Sequence, residues 1–303
     1  MNDNNRMLLR YVAEGDIRNA QMQAKIILNS ITAARDEQFK TNCLAKLNNA
    51  EPRFIELPFN MQGLLVAEDV SDFPEQRFLI RESEKAVIEK ILKTRKASLK
   101  LKEMGVHYTS SLLLSGEPGT GKTELARYIA HKADLPFVYL KFSGLISSAL
   151  GKTQQNIGLV FDYARRSPCV LCLDEIDAIG MKRGGRDDVA EMSRVTIALM
   201  QELDRLPNDV ILIGTTNRED QLDAALFRRF SFLHRVRMLD TQSAHDLCEK
   251  FFISVGYTAS KKEIEDLLSH IDHNYTPSNV TKACTDHIVS WVIEQQEKEG
   301  QDA

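Results

Sequence analysis

No stretch of this 303-residue chain approaches the ~20 apolar residues a helix needs to cross a bilayer, and MNDNNRMLLRYV at its start holds no signal-peptide core. A membrane or exported protein is not expected; a cytoplasmic one is. An excess of one charge is also lacking. Against 43 acidic residues stand 39 basic ones, a formal net charge of −4. Nothing therefore pulls the whole chain toward nucleic acid or anionic lipid, and any such contact needs a local patch. Cysteine is scarce, with five scattered residues, an odd number that suits a reducing compartment better than a disulfide framework. The one close pair, Cys169 and Cys172, lies inside the apolar run CVLCLD, where residues three apart face opposite sides of a strand. No second pair or nearby histidine completes a metal site, so both are expected in the core. Internal repeats and low-complexity tracts are missing as well. What remains is 43% apolar and 27% charged, the composition of a globular chain with room for two or three units.

Residues 1–50 carry helical spacing throughout, with Ile17, Ala20, Ala24, Ile27 and Ile31 on one stripe and Phe39, Cys43 and Leu47 on another. Gly15-Asp16 marks a break between the first two helices. An irregular link with Pro52 and Pro58 follows. Glu82 to Lys102 reads as an amphipathic helix with Ile88, Ile91, Leu92 and Leu99 on one face. Its other face is basic, with Lys90, Lys93, Arg95, Lys96, Lys100 and Lys102. A solvated helix face accounts for these charges; a nucleic-acid patch is the alternative. Short apolar runs then alternate with longer periodic stretches: SLLLS, FVYLKF, CVLCLD, VILIGTT and FLHRVR. That alternation predicts a parallel sheet with helices on both sides. After residue 240 the strand signal disappears and three helical patterns follow, the last with Cys284, Ile288, Trp291 and Val292. The lone tryptophan is expected in the core of a small helical lid.

The segment LLLSGEPGTGKTELAR carries the strongest chemical signal. Gly116, Gly121, Lys122 and Thr123 fit the phosphate-loop pattern G-x-x-x-x-G-K-[ST], with an apolar strand before it and an amphipathic helix after it. Glycines let backbone N–H groups crowd against phosphate oxygens, and the helix N-terminus adds partial positive charge. The whole loop and first turn, Gly116, Glu117, Pro118, Gly119, Thr120, Gly121, Lys122, Thr123 and Glu124, is expected to hold ATP. In it Lys122 reaches the β- and γ-phosphates and the Thr123 hydroxyl ligates Mg²⁺.

In CVLCLDEIDAIG an apolar strand carries Asp174 to its carboxyl end, where ligands gather in open α/β sheets and a carboxylate can hold the hydration shell of Mg²⁺. Glu175, next along, can take a proton from an attacking water. VILIGTTNRED delivers Thr216 and Asn217 to the same sheet edge. There the Asn217 amide can orient that water, or simply cap a turn. In LDAALFRRFSF, Arg228 and Arg229 stand just before the fifth strand. They suit a guanidinium supplied to a neighbouring subunit's γ-phosphate, although paired arginines also occur as plain surface charge.

In this order the four pieces resemble the AAA ATPase family. GEPGTGKT is similar to its Walker A motif, LCLDEIDAIG to Walker B, IGTTNRED to the sensor-1 region and LDAALFRRF to the arginine-finger region. The doubled arginine resembles the variant of microtubule-severing members and of stand-alone bacterial single-ring AAA proteins, the latter being the closer likeness. The resemblance implies an α/β fold: a P-loop NTPase core with a five-stranded parallel sheet flanked by helices, a C-terminal helical lid and a small N-terminal helical bundle. The expected division is 1–50 for the bundle, which would choose a partner, 51–78 for the linker, 79–239 for the core and 240–303 for the lid. The resemblance also implies a homo-oligomeric, hexameric ring with ATP between subunits. Family members act on protein partners through pore loops, which here fall on SSALGKTQQN, with Leu150 before Gly151 where many members carry an aromatic residue, and on MKRGGRDD, with Lys182, Arg183 and Arg186. Leucine offers less rigid contact area, so local remodelling is expected rather than processive threading. In the lid, YTPSNVTKA places Ser278 and Asn279 near the expected sensor-2 position, with no arginine there.

The leading expectation is an ATP-driven ring that remodels a protein partner. The alternative is a nucleic-acid-associated AAA protein such as a helicase loader or transposition helper, resting on the basic helix. A switch that binds nucleotide without turnover fits poorly with Glu175 beside the metal aspartate.

Overall fold

The computed structural model describes residues 3–14, 17–31, 37–49, 61, 64–141, 152–179, 186–271 and 274–301. Pro52, Pro58, Leu150, Gly151, Lys182 and Arg183 lie outside them, and with them both expected pore loops apart from their downstream residues.

Three helices come first, α1 (Asp3–Ala13), α2 (Ile17–Asn29) and α3 (Glu37–Asn49). Their apolar stripes pack thinly: α1 buries no residue, while α2 buries Leu28 and Gln23, whose amide donates to Asn4 at 3.1 Å. The long helix α4 (Glu82–Glu103) matches the amphipathic stretch. Its basic face is partly committed within the chain. Lys93 pairs with Glu89 at 3.0 Å, Lys102 with Asp209 at 3.1 Å, and the Lys90 ammonium sits 4.4 Å from the centre of the Phe232 ring. These contacts favour the solvated-face reading.

The sheet has six strands in the order β1-β3-β4-β5-β2-β6. The five expected ones are β2 (Ser110–Ser115), β3 (Phe137–Lys141), β4 (Val170–Asp174), β5 (Ile211–Thr216) and β6 (Phe232–Arg235), all paired in parallel. The sixth is β1 (Val66–Glu68), which runs antiparallel along β3 with Val66 opposite Tyr139. It falls in the segment read as linker, because three residues at a sheet edge are too few to register a two-residue period.

Alternation along the strands splits the core in two. Leu113, Val138, Leu140, Leu171, Leu173 and Leu212 face α6 (Lys152–Arg166) and α7 (Arg186–Leu203), where Phe161 and Leu199 are fully buried. The intervening Leu112, Leu114, Phe137, Val170, Ile211 and Ile213 face α4 and α5 (Lys122–Ala133). Cys169 belongs to the first layer and Cys172 to the second, both fully buried, as their spacing predicts.

A four-residue turn of helix, α8 (Ala224–Phe227), precedes β6. The remaining helices α9 (Thr241–Ser254), α10 (Lys261–Ser269) and α11 (Pro277–Gln301) share a separate apolar cluster with Leu247, Phe252, Ile264, Leu268 and Cys284. Trp291 departs from expectation. It is 40% exposed and meets Tyr257 edge-on at 5.4 Å rather than filling that cluster. The cause is length: α11 has 25 residues against 14 in α9 and 9 in α10, so its last turns run past the helices that could cover them.

Asp240 caps α9, its carboxylate accepting from the Ser243 amide at 2.8 Å. Donation from that amide, and then from the Ser243 side chain, holds the carboxyl below its usual range. Asp240→Ala is expected to cost about 1 kcal/mol at neutral pH. A carboxyl depressed by folding contributes above its unfolded pKa and ceases to as pH falls through the folded value. Denaturant unfolding of the two proteins should therefore converge in acid; a gap unchanged by pH would remove the capping carboxylate as its cause.

Candidate functional site

The site forms where β2 ends and α5 begins. The strand is buried at every position. At Gly116 a Cβ would sit 2.2 Å from the Val236 carbonyl oxygen, so only glycine lets the chain leave the sheet there. Gly121 caps α5 with φ of 91°, a left-handed conformation that aims the first amides of the helix into the loop. The Lys122 ammonium donates to the carbonyls of Gly116 and Glu117 at 2.8 and 2.9 Å, which curls it across the loop mouth. Its burial lowers its pKa, an effect opposed by Asp174, Asp177 and Glu117.

Asp174, at the end of β4, collects hydroxyl donors. Thr123 approaches its Oδ1 at 3.4 Å, Thr215 donates to the same oxygen, and Tyr139 donates to Oδ2 at 2.7 Å. Burial and the neighbouring carboxylate both push the Tyr139 phenol up, so it stays protonated and remains a donor. Glu175 follows with φ of 53°, one of two positive-φ non-glycine residues among those described. Such a conformation is uncommon for glutamate and turns its side chain off the strand's own alternation. Its amide donates to Thr215 at 3.2 Å. On β5, Thr216 donates to Asp177 at 2.8 Å and accepts from the Arg218 amide at 2.9 Å, which fixes the turn that carries the exposed Asn217.

Lys122, Thr123, Asp174, Glu175, Thr215 and Asn217 line one cavity of about 830 Å³, within the range of small-molecule clefts, whereas Gly116, Glu117, Tyr139 and Asp177 are not in its lining. Its phosphate end holds Pro118 to Glu124, Asp174, Glu175 and Asn217. The rest of its lining mixes apolar Phe78, Leu79, Leu239 and Leu247, which suit a flat base, with charged Arg77, Arg81, Glu84, Lys282 and Asp286. The lid closes one wall. The Ser278 amide at the start of α11 donates to the Gly119 carbonyl at 3.2 Å. Arg81 bonds the carbonyls of Arg237 and Met238 at 2.8 and 3.1 Å, and Arg77 bonds Ser254 at 2.8 Å. The residues present fit a magnesium nucleotide: a cradle of amides, a lysine, and a hydroxyl–carboxylate pair for the metal.

Arg228 and Arg229 are not part of this cavity. The Arg229 carbonyl accepts from Ser111 at 3.0 Å, near the start of β2, whereas the phosphate loop leaves from its end. Four residues of strand place that point about 13 Å from the loop. Arg229 is held by Asp204, with two bonds of 3.2 and 3.1 Å, and by the Ala225 carbonyl at 3.1 Å. Arg228 is exposed and has no side-chain partner among the described residues.

Sequence reasoning missed Tyr139, Thr215 and Asp177. The signal for Tyr139 was a hydroxyl-bearing ring inside the apolar run FVYLKF, and for Thr215 a hydroxyl within a fully buried strand.

A buried strand, a glycine loop opening a helix, and an acidic strand end beside it define a P-loop nucleotide-binding core. Residues 112–238 match the family model of the ATPase family associated with various cellular activities (AAA). Over 211 residues, 66% of this chain and 21% of the relative, it is 34% identical to the peroxisomal ATPase PEX6 of Candida glabrata. It is 39% identical to the uncharacterized AAA family ATPase y4kL of Sinorhizobium fredii over 43% of this chain and 39% of that one. With the proteasome-activating nucleotidase of Methanosphaerula palustris it shares 33% identity over 63% of this chain and 49% of that one. The crystal structure of the FIGL-1 AAA domain superposes with a TM-score of 0.58 at 22% identity, covering 78% of this chain and 80% of that one, and shares its fold. Residues 112–238 belong to the AAA family of ATPases. The chain spans less than half the length of each of these sequence relatives.

Proposed function

We propose that this chain hydrolyses ATP as a homo-oligomeric ring, a hexamer by family resemblance, and uses the energy to remodel a protein partner. In this reading the chain's own groups divide the work. Loop amides and Lys122 bind the phosphates, Thr123 and Asp174 hold Mg²⁺, Asn217 orients water and Glu175 accepts its proton. The bound Mg²⁺ supplies charge neutralisation at the phosphates. Arg228, from an adjacent copy, stabilises the charge that develops at the γ-phosphate.

The observation that carries assembly-dependence is the placement of the arginines. The cavity holds an acid, a metal pair and a phosphate cradle, while an exposed guanidinium without a described partner stands toward the opposite end of the same strands. One relative is named for activating a proteasome, which supports a protein as the thing acted on. Helices α1–α3 would choose that partner. Among the described residues no helix is long and apolar enough to cross a membrane.

The test is ATP turnover per protomer followed alongside sedimentation across a dilution series. Turnover is expected to rise steeply as protomers assemble. Turnover that stays constant while the sedimenting species changes would overturn the dependence on a neighbour.

A further inference from the structure

We propose that Tyr139 is a positioning residue for the metal-side carboxylate, fixing Asp174 so that one oxygen stays turned toward Thr123 and the cation. This inference rests on the reading that Thr123 and Asp174 hold Mg²⁺. The carboxylate has two oxygens with different company. Oδ1 takes the hydroxyls of Thr215 and Thr123, whereas Oδ2 takes the Tyr139 phenol at 2.7 Å. A terminal carboxylate torsion is soft, so a donor on each oxygen is what selects one orientation. Outer donors of this kind set how well a carboxylate presents itself to a metal.

The phenol is itself held. The Arg127 guanidinium lies 6.0 Å from the centre of the Tyr139 ring and 5.2 Å from that of Phe137. Arg127 in turn bonds Glu68 twice, at 2.7 and 3.1 Å, and Glu124 at 2.7 Å. Glu68 is the last residue of β1, the antiparallel edge strand. A chain of contacts thus runs from that strand through Arg127 and Tyr139 to Asp174. The edge strand supports the metal side of the site without entering the cavity.

Tyr139→Phe keeps the ring under Arg127 and removes the donor alone. The experiment is binding of a fluorescent ATP analogue to the full chain, first in EDTA and then along a Mg²⁺ titration, with thermal unfolding of both proteins beside it. In EDTA the variant is expected to bind like wild type. The Mg²⁺ concentration that gives half of the metal-dependent change is expected to rise roughly tenfold. A Mg²⁺ titration that overlays wild type would overturn the inference, as would an equal loss of affinity with and without metal, the mark of general damage. If wild type itself shows no response to Mg²⁺, the metal reading of Thr123 and Asp174 falls, and this inference with it.

Discussion

Glu175→Gln is expected to slow ATP turnover by roughly 10²–10⁴-fold while nucleotide binding holds. The amide has the carboxylate's shape and cannot accept a proton. Glu175 touches the site through its position rather than through the phosphate loop: its backbone stands in the left-handed region at φ 53°, with its amide on Thr215. Glutamine shares that backbone preference, so the loop, Lys122 and the metal pair should be left as they are. Single-turnover hydrolysis and equilibrium binding measured on the same preparation separate the two effects. Loss of binding in step with turnover would show that Glu175 builds the pocket, and turnover near wild type would assign the base elsewhere.

The second large effect belongs to Arg228. Arg228→Ala is expected to lower turnover by roughly 10³-fold at concentrations where the chain assembles, the magnitude of a guanidinium lost from a phosphoryl-transfer site. Mixing decides whether the effect is in trans. Protomers with Arg228→Ala keep an intact cavity but lend no cation. Protomers with Lys122→Ala lend the cation but hold nucleotide poorly. Each alone should be nearly inactive, and mixed assemblies should regain activity where an intact cavity meets an intact donor. Mixed assemblies that form and stay inactive would end the trans assignment. Arg229 is expected to act differently, since its guanidinium is already spent on Asp204 and the Ala225 carbonyl.

The parallel strands and the helices of the core were legible because burial imposes a period. Leu112 to Leu114 and Val170 to Leu173 are apolar without interruption because both faces of the sheet are covered. The phosphate loop was legible because its chemistry demands glycine at fixed spacing, as Gly116 against the Val236 carbonyl shows. Strand β1 was not, since Val66–Glu68 is short and Val66 is half exposed. Nor was the exposure of Trp291, because a helical period says which residues share a stripe and not how far a neighbouring helix extends to cover it. Tyr139 and Thr215 were hidden for another reason. Hydroxyls in buried strands are read as tolerated polar groups until coordinates show a carboxylate at the receiving end.

The bond from the Ser278 amide to the Gly119 carbonyl, with that from Arg77 to Ser254, joins two bodies with separate apolar interiors. The lid's interior is the smaller, built around residues such as Leu247, Phe252 and Leu268. A molecule lodged between them acts as mortar, and by mass action it raises the resistance of α9–α11 to local opening in proportion to the logarithm of its concentration over its dissociation constant. Each turnover cycle would then be felt by the last helix as alternating reinforcement and release.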